Sequence, residues 1–336
     1  MADESVIVRE ELQILLNLLG ERFTIKYPLY GFDIATLRRT AEGYEIRMEC
    51  TRQDFEEASR AFDGYASEMP TYGDMVEVLL ASGIITYRNI EAFAEQKKNI
   101  DSLRKNVRFS LDTNLFYHGF PFHAGIEAQR YVLVETVHEE IVRALNRKYS
   151  PRQISEMKRY ARFGGDLLDE LSNQKTKSAR MATHIALREY LSIHDAAQII
   201  PPIEPFADDR EKNDLIIVRT LRKFEQEKYS LPLLLTADTN VAKLCEAEGL
   251  AHFLFDYPYE ITVQDCSPKE GVWFLSFLAM TFGFLKCGPA IIFGEFGGKG
   301  GRDHDLKLRF LNPDLYREFE RELDLCRRLI ALGIKQ

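Results

Sequence analysis

The sequence predicts an α/β protein. Its central parallel sheet of about five strands has helices on both faces, and it is flanked by a helical N-terminal segment, a basic helical insertion and an α+β C-terminal segment. The first observation is that β-type runs alternate with helical patterns between Val107 and Asp256, the order that produces parallel strands joined by crossover helices. The second is that several of these runs lead directly into acidic residues. The third is a composition of 45% hydrophobic and 29% charged residues without repeats, which is typical of soluble globular proteins.

Length and changes of pattern predict three segments. The chain has 336 residues, whereas a typical domain has ~100–150. Residues 1–105 are expected to form a mostly helical accessory or dimerisation domain, and residues 259–336 an α+β C-terminal extension. Between them, residues 106–258 form the α/β domain, with a helical insertion at about 149–194.

The termini, cysteines and apolar stretches predict a cytoplasmic protein that does not enter a membrane. The acidic N-terminus lacks the basic and apolar regions of a signal peptide, and the five cysteines include no C-x-x-C pair. The stretch Gly271 to Phe293 approaches the ~20 apolar residues of a membrane span. However, Lys286 interrupts it, and Gly288 and Pro289 break the helical pattern. We therefore expect a buried helix from about Val272 to Phe284, followed by a strand.

The N-terminal segment shows mostly helical patterns. Apolar residues recur at helical spacing from Val6 to Leu19, and Thr51 is a candidate N-cap for a helix reaching Ser67, with Asp54 three positions on. Tyr44 to Cys50 alternates like a strand, and a charged helix is expected from Asn89 to about Lys105. These patterns bring together no residues with an evident chemical role.

The middle segment carries the strands of the expected parallel sheet, each short, apolar and bounded by turn residues. We expect strands at Val107–Leu111, Tyr131–Val134, Gln198–Ile203, Leu231–Leu235 and Ala251–Phe255. Helices are expected at Val137–Asn146, Lys212–Glu227 and Asn240–Glu248, the last ending at Gly249. In such a sheet, acidic residues after the strands gather at one edge, where open α/β sheets bind their ligands.

The insertion is basic in an acidic protein. From Arg143 to Arg188, eleven basic and four acidic residues give a local net charge of +7, whereas the whole chain carries −8. Such a segment either binds phosphate backbones or forms a solvated, salt-bridged hairpin, and the sequence leaves both interpretations open. Tyr149, Tyr160 and Phe163 are candidates for stacking on bases. The candidate nucleic-acid-binding residues are Arg147, Lys148, Arg152, Lys158, Arg159, Arg162, Lys175 and Lys177.

The C-terminal segment continues with a glycine-rich loop. Its sequence GEFGGKGG, Gly294 to Gly301, does not match a phosphate loop, because the glycine spacing differs and a strand rather than a helix is expected to follow. Lys299 and Arg302 are retained as candidates for contacts with a nucleic-acid backbone. A strand from Leu306 to Leu311 and a helix from Pro313 to about Leu332 complete the chain.

Several carboxylates at one sheet edge, without thiolate pairs, predict a site for Mg²⁺ or Mn²⁺ rather than zinc. Two such ions about 4 Å apart can assist phosphodiester hydrolysis. Carboxylates this close repel one another, and we expect raised pKa values where no cation is bound. Other chemistries lack their motifs, since His138 begins no H-E-x-x-H sequence and no G-x-S-x-G elbow is present. His118 and His123 could either contact a substrate or pack in a loop.

Four blocks in this order resemble the PIN-domain nucleases, over residues of about 107–256. SLDTNLF, Ser110 to Phe116, is similar to the opening motif of that family. VLVETVHEEI, which ends at Ile141, is similar to its second block. NDLIIVRTL and LLLTADTNVAKLCEAEGL, which begin at Asn213 and Leu233, are similar to its third and fourth blocks. The stand-alone toxins of the family are much shorter than this chain, which argues against a toxin role.

The resemblance implies roles for individual residues. It implies Asp112, Glu140, Asp214 and Asp238 as metal ligands and catalytic residues, with Glu139 as the alternative to Glu140. The supporting residues that it implies are Thr113, Asn114, Thr236, Asn240 and, at a variable position of the family, Asp256.

The implied function is a metal-dependent endoribonuclease that hydrolyses RNA phosphodiester bonds with Mg²⁺ or Mn²⁺. Two alternatives stay open, namely a non-catalytic PIN-like module that binds RNA or a protein, and a structure-specific DNA nuclease. RNA is the expected partner, no membrane partner is expected, and both a homodimer and a protein partner are left open.

Overall fold

The computed structural model describes residues 3–102, 106–261, 263–297 and 305–334. The chain forms two compact units, each assembled from separate stretches. The antiparallel unit comprises Met1–Ile84, Arg147–Arg180 and Glu260–Gln336. The parallel unit comprises Ile85–Asn146 and Met181–Tyr259.

The strands and helices of the described residues follow in chain order. The strands are β1 (Asp3–Ile7), β2 (Arg22–Lys26), β3 (Asp33–Arg39), β4 (Tyr44–Met48), β5 (Val107–Leu111), β6 (Val132–Val134), β7 (Gln198–Ile200), β8 (Leu231–Thr236), β9 (His252–Leu254), β10 (Val263–Cys266), β11 (Phe284–Cys287), β12 (Ala290–Phe293) and β13 (Leu306–Phe310). The helices are α1 (Leu12–Leu18), α2 (Arg52–Arg60), α3 (Tyr72–Ser82), α4 (Ile90–Ser102), α5 (Thr113–Tyr117), α6 (Phe120–His123), α7 (Glu135–Leu145), α8 (Pro151–Tyr160), α9 (Lys177–Met181), α10 (Leu187–His194), α11 (Arg210–Lys228), α12 (Thr239–Glu248), α13 (Pro268–Phe282) and α14 (Pro313–Ala331). A π-helical turn, Ala182–Ala186, joins α9 to α10.

An eight-stranded antiparallel sheet organises the antiparallel unit, in the order β1-β13-β12-β11-β2-β3-β4-β10. Helix α13 is apolar on every side and buried nearly throughout, as expected for a helix enclosed by other elements. It packs against α3 and against strands β11 and β12. In the part of the chain that the structure describes, no helix combines the length and apolar character needed to cross a membrane.

The structure divides the chain differently from the predicted segments 1–105, 106–258 and 259–336. The N-terminal segment is not a separate helical domain, because β2 pairs with β11 and β4 pairs with β10 from the C-terminal segment. These strands are short, and their partners lie more than 200 residues away, as in the pair Ile25 and Cys287. Local patterns carry no information about such pairings. Most of the predicted insertion, Arg147–Arg180, also belongs to this unit.

Local signals in the N-terminal segment succeed where a single capping residue decides the structure. Thr51 caps α2 as predicted, accepting a hydrogen bond from the amide of Asp54 and donating its own amide to the Asp54 carboxylate. The helix ends at Arg60 and does not reach Ser67. The predicted helix from Val6 to Leu19 is wrong at its start, because β1 occupies its first residues and α1 begins only at Leu12.

The parallel unit confirms the α/β prediction at the level of its strands. All the expected strands are present, and the pairs β5–β8, β8–β9 and β6–β7 are parallel. They form a three-stranded sheet, β5-β8-β9, and a two-stranded sheet, β6-β7, rather than one sheet. A single parallel bridge, Phe109 to Tyr131, connects β5 to the residue before β6, which is too little for a continuous ladder.

Helices α11 and α12 of the parallel unit lie close to their predicted bounds. Helix α12 ends at Gly249, whose φ of +70° is the left-handed conformation expected of a C-cap glycine. Helix α11 begins at Arg210, two residues before the predicted start at Lys212. This earlier start adds an arginine to the same helix face as Asp214.

Candidate active site

Asp112 is held at the carboxyl end of β5. Its amide donates to the carbonyl oxygen of Leu235 in β8 at 3.0 Å, which continues the parallel ladder by one residue. Asp112 then serves as the N-cap of α5, and its side chain is only 2% exposed. The carboxylate does not cap that helix. Its Oδ2 instead accepts hydrogen bonds from the Thr236 hydroxyl at 2.9 Å and from the Asn114 side-chain amide at 3.3 Å.

Thr236 connects Asp112 to Asp238. It ends β8 and is fully buried. While its hydroxyl donates to Asp112, the same oxygen accepts the amide of Asp238 at 2.9 Å. Asp238 is the N-cap of α12, and its carboxylate accepts the backbone amide of Asn240 at 2.8 Å. The supporting contribution of Asn240 is therefore made through its backbone, and its side chain is exposed.

Glu140 is held by two neighbouring polar side chains. It lies on α7, and its carboxylate accepts the hydroxyl of Thr113. The side chain of Asn213 also lies near this carboxylate and lowers its pKa. Asn213 is itself fixed by two hydrogen bonds to the backbone of Ala207. Of the two candidate glutamates, it is Glu140 rather than Glu139 that contacts Thr113 of the opening motif.

Burial raises the pKa values of three of these acids, and repulsion from neighbouring carboxylates raises two of them further. Burial is the largest cause for Asp112 and raises its pKa to about 6. The hydrogen bond from Thr236 partly offsets this increase, whereas repulsion from Glu140 and Asp238 adds to it. The pKa of Asp214 is raised to about 7. Burial is again the largest cause, and repulsion from Asp112, Glu140 and Asp238 adds to it. Burial raises the pKa of Glu140, against the hydrogen bond from Thr113. Asp112 and Asp214 are thus each repelled by Glu140 and Asp238, and a bound cation would relieve this repulsion.

Arg210 is a site residue that the sequence analysis missed. It is the first residue of α11 and is exposed, and its Nη2 donates to Asn114 Oδ1 at 2.9 Å. Its charge lowers the pKa values of Asp112, Glu140 and Asp214. The available signal was its spacing, because Arg210 stands four residues before Asp214 and lies on the same helix face.

Asp256 and His118 stand apart from the acids. Asp256 is exposed, its amide donates to Asn89 Oδ1 at 2.8 Å, and it is not among the causes that shift the pKa values of the three acids. His118 is buried against Tyr87, whose hydroxyl lies 2.6 Å from its Nδ1, and burial lowers its pKa to about 4. These contacts indicate packing rather than substrate contact for His118. His123 ends α6 with its ring edge-on to Phe122.

The eight candidate nucleic-acid-binding residues of the insertion lie in the antiparallel unit, and several of them form ion pairs. Lys177 pairs with Asp74 at 2.8 Å, Lys158 with Asp169 at 2.8 Å and Arg152 with Glu156 at 2.9 Å. For these residues the salt-bridged interpretation applies. Arg152 is exposed despite its ion pair, and so are the candidates Arg147, Lys148, Arg159 and Arg162, while Lys175 is half-buried.

The three aromatic candidates of the insertion differ in exposure. Tyr149 is only 1% exposed and donates its hydroxyl to Glu68 at 2.7 Å, so that its predicted stacking on bases is wrong. Tyr160 and Phe163 are exposed. Lys299 and Arg302 lie outside the described residues.

The donor set agrees chemically with a hard divalent cation. The carboxylates of Asp112, Glu140, Asp214 and Asp238 provide oxygen atoms alone, as Mg²⁺ and Mn²⁺ prefer, and three of them have raised pKa values. Among the described residues, however, no group of three or more Asp, Glu, His and Cys side chains is already arranged to hold a metal ion.

Comparisons with protein families, with curated proteins and with solved structures find no match to this chain.

Proposed function

We propose that the parallel unit is a metal-dependent endoribonuclease of PIN type that hydrolyses RNA phosphodiester bonds. The observation that carries this proposal is the clustering of Asp112, Glu140, Asp214 and Asp238: burial raises the pKa values of the first three, and Asp112 and Asp214 are also repelled by the other acids. Repulsion within a cluster of acids costs stability. Such clusters with perturbed pKa values are therefore found mainly where they serve a function. Their order along the chain is that of the four blocks resembling PIN-domain nucleases.

The arrangement of the strands also supports a PIN-like fold. The neighbours β9, β8 and β5 are parallel, the single bridge from Phe109 to Tyr131 continues from β5 toward β6, and β6 is parallel to β7. This gives the order β9-β8-β5-β6-β7 if the bridge is counted. The acids follow β5 and β8 or lie on the helices α7 and α11, and this placement supports a ligand site at the carboxyl ends of the strands.

Asp112, Glu140, Asp214 and Asp238 are the residues that would hold Mg²⁺ or Mn²⁺. When bound, the divalent cation supplies positive charge to the phosphate and favours the ionisation of water. The remaining chemistry belongs to the chain. Thr236 and Thr113 donate hydrogen bonds to Asp112 and Glu140, which favours the charged carboxylates. Asn114 connects Asp112 to the solvent-exposed edge of the site.

An RNA cleavage assay with Mn²⁺ or Mg²⁺ tests the proposal. We expect Asp112→Asn and Asp214→Asn to lose orders of magnitude in rate, because each removes a carboxylate of the cluster. Asp256→Asn is the matched control, since Asp256 is exposed and lies outside the coupled acids. Equal cleavage by the wild type and the two cluster variants would contradict the proposal. A DNA oligonucleotide of the same sequence distinguishes a ribonuclease from a DNA nuclease.

A non-catalytic RNA- or protein-binding module is the second candidate. It is favoured by the observation that, within the described residues, no acidic group is prearranged for a metal ion. Thermal melting with and without Mn²⁺ separates the two candidates. A catalytic site should be stabilised by Mn²⁺ in the wild type but not in Asp112→Asn, whereas a non-catalytic module should show no stabilisation in either.

A further inference from the structure

A continuous hydrogen-bonded path runs from a solvent-exposed arginine to the most buried acid of the site. Arg210 Nη2 donates to Asn114 Oδ1 at 2.9 Å, and Asn114 Nδ2 donates to Asp112 Oδ2 at 3.3 Å. The Asn114 side chain thus accepts from the cation with one end and donates to the carboxylate with the other. This path fixes the guanidinium at the edge of the acidic cluster without placing it inside.

The position of Arg210 is unusual for a purely structural arginine. Its charge acts on Asp112, Glu140 and Asp214, yet its hydrogen bond goes to a neutral amide rather than to a carboxylate. An arginine that served only to neutralise the acids would gain most from a direct charge-assisted pair. A guanidinium has five N–H donors arranged as a planar fork, and the bond to Asn114 uses only part of that capacity.

The surroundings of Arg210 explain why an anion could approach it. The neighbouring acid Asp208 is already paired with Arg143 at 2.6 Å, and Asp209 accepts the amide of Glu211 as the N-cap of α11. These two acids therefore have hydrogen-bonding partners other than Arg210. Arg210 itself is solvent-exposed.

We propose that Arg210 binds a non-bridging oxygen of the RNA phosphodiester that is cleaved. This inference rests on the proposed nuclease function and names the residue that holds the substrate phosphate. Arginine matches phosphate geometry because two of its N–H groups can contact two phosphate oxygens. Held beside the acids, it also stabilises the negative charge that grows on the phosphoryl oxygens in the transition state. Asn114 acts as a positioning residue through its hydrogen bond to the guanidinium.

Two measurements on the full chain test this proposal. The first is steady-state RNA cleavage at about pH 8.5, above the pKa values of Asp112 and Asp214, so that altered protonation contributes little. The second is the salt dependence of binding to a fluorescein-labelled single-stranded oligoribonucleotide in EDTA, where cleavage is suppressed. The variants are Arg210→Ala, Arg210→Lys and, as a matched control on the same helix, Arg219→Ala, whose side chain pairs with Glu248 at 2.9 Å.

We expect Arg210→Ala to lower kcat/KM about 100-fold, the scale of removing one donor to a developing oxyanion. The slope of log Kobs against log salt should become less steep by about 0.7, the contribution of one phosphate contact on a single strand. Arg210→Lys should retain the slope and only part of the rate, because it keeps the charge but loses the fork. Arg219→Ala should resemble the wild type in both measurements.

Other results would overturn the assignment. Reduced cleavage by Arg210→Ala with an unchanged salt slope would mean that Arg210 acts only on the acids. Unchanged cleavage and slope would mean that it contacts no substrate. If the wild type cleaves no RNA, the nuclease function fails, and an unchanged salt slope in Arg210→Ala would then also reject phosphate binding. If Arg210→Ala melts before the assay temperature, Arg210→Gln replaces it and is judged by the same two readouts.

Discussion

The hydroxyl of Thr236 donates a 2.9 Å hydrogen bond to the buried carboxylate of Asp112, and the same oxygen accepts the amide of Asp238. One side chain at the end of β8 therefore supports two acids that lie more than 120 residues apart in sequence. The hydrogen bond lowers the pKa of Asp112, which burial raises to about 6. Thr236 is thus expected to control both the charge and the position of Asp112.

The first prediction concerns Thr236→Val, which keeps the shape of the side chain and removes its hydroxyl. We expect a loss of about 1–3 kcal/mol in the free energy of unfolding at pH ~8, because a buried charged carboxylate loses its donor. The loss should be smaller near pH ~5, below the Asp112 pKa of about 6, since a protonated carboxyl needs the donor less. Urea denaturation at the two pH values measures the difference.

Thr239→Val is the control for this prediction, because Thr239 is exposed at the first position of α12. It should change stability little at either pH. An equal loss by Thr236→Val at both pH values would show that the bond does not favour the charged form of Asp112.

The second prediction concerns the pH dependence contributed by Glu189. This side chain is 3% exposed, accepts the amide of Phe122 at 3.0 Å and lies 4.0 Å from Arg188. Burial raises its pKa to about 7 from the ordinary value of 4.5. A raised acid pKa means that the unfolded chain releases its proton first. Below about pH 4.5 the carboxyl is protonated in both states, and its burial costs no stability. The free energy of unfolding then falls as the pH rises from about 4.5 through about 7.

Glu189→Gln should remove this part of the pH dependence. Relative to the wild type, the variant should gain stability between about pH 5 and pH 8, with an upper limit of about 3 kcal/mol from the difference between the two pKa values. Asp112 and Asp214 titrate in the same direction, and comparing wild type with variant at each pH cancels their contribution. A wild-type-to-variant difference that is the same at both pH values would argue against a buried, titrating Glu189.

How much could be foreseen from the sequence differs from residue to residue. Asp112 and Asp238 follow apolar strands directly, so that local patterns place them at strand ends, and Thr236 follows from the same block. Arg210 was missed because the helix was expected to begin at Lys212. The N-cap at Asp209 makes the helix begin two residues earlier. The prediction for Tyr149 is wrong because its side chain is buried and its hydroxyl bonds Glu68, a partner 81 residues away. Contacts of this kind are set by tertiary packing and leave no local signal.

The third prediction concerns Glu170, which connects the insertion to the large sheet of the antiparallel unit. Its Oε1 accepts Lys307 Nζ at 2.6 Å and Arg309 Nη2 at 2.7 Å, and both cations extend from β13. Lys307 is largely buried. In Glu170→Gln the ammonium group of Lys307 loses its nearest carboxylate. We expect a loss of about 2 kcal/mol in the free energy of unfolding.

Asp169→Asn is the matched control for Glu170→Gln. Asp169 is the preceding residue, but its side chain is 65% exposed and pairs with Lys158 at the surface. Exposed pairs contribute about 0–1 kcal/mol, and added salt should reduce that contribution further. The loss in Glu170→Gln should persist in salt. Equal melting temperatures for the two variants would show that the Glu170 pairs stabilise no more than a surface ion pair.

The fourth prediction concerns Arg180, a buried arginine at the end of the insertion stretch of the antiparallel unit. It is 1% exposed, its Nε and Nη2 both donate to the carbonyl oxygen of Thr281, and its Nη1 donates to that of Lys175. Thr281 lies in the last turn of α13, where carbonyl groups lack partners within the helix. The guanidinium thus satisfies a helix end and joins it to the loop before α9.

Arg180→Lys keeps the charge but cannot reach both carbonyl groups with the same planar geometry. We expect a loss of about 3 kcal/mol in the free energy of unfolding, because a buried cation and the carbonyl groups lose their hydrogen bonds. Arg159→Lys, at an exposed position of α8, is the control and should be neutral within about 0.5 kcal/mol. A neutral Arg180→Lys would mean that the charge alone, and not the forked hydrogen bonding to Thr281 and Lys175, maintains this contact.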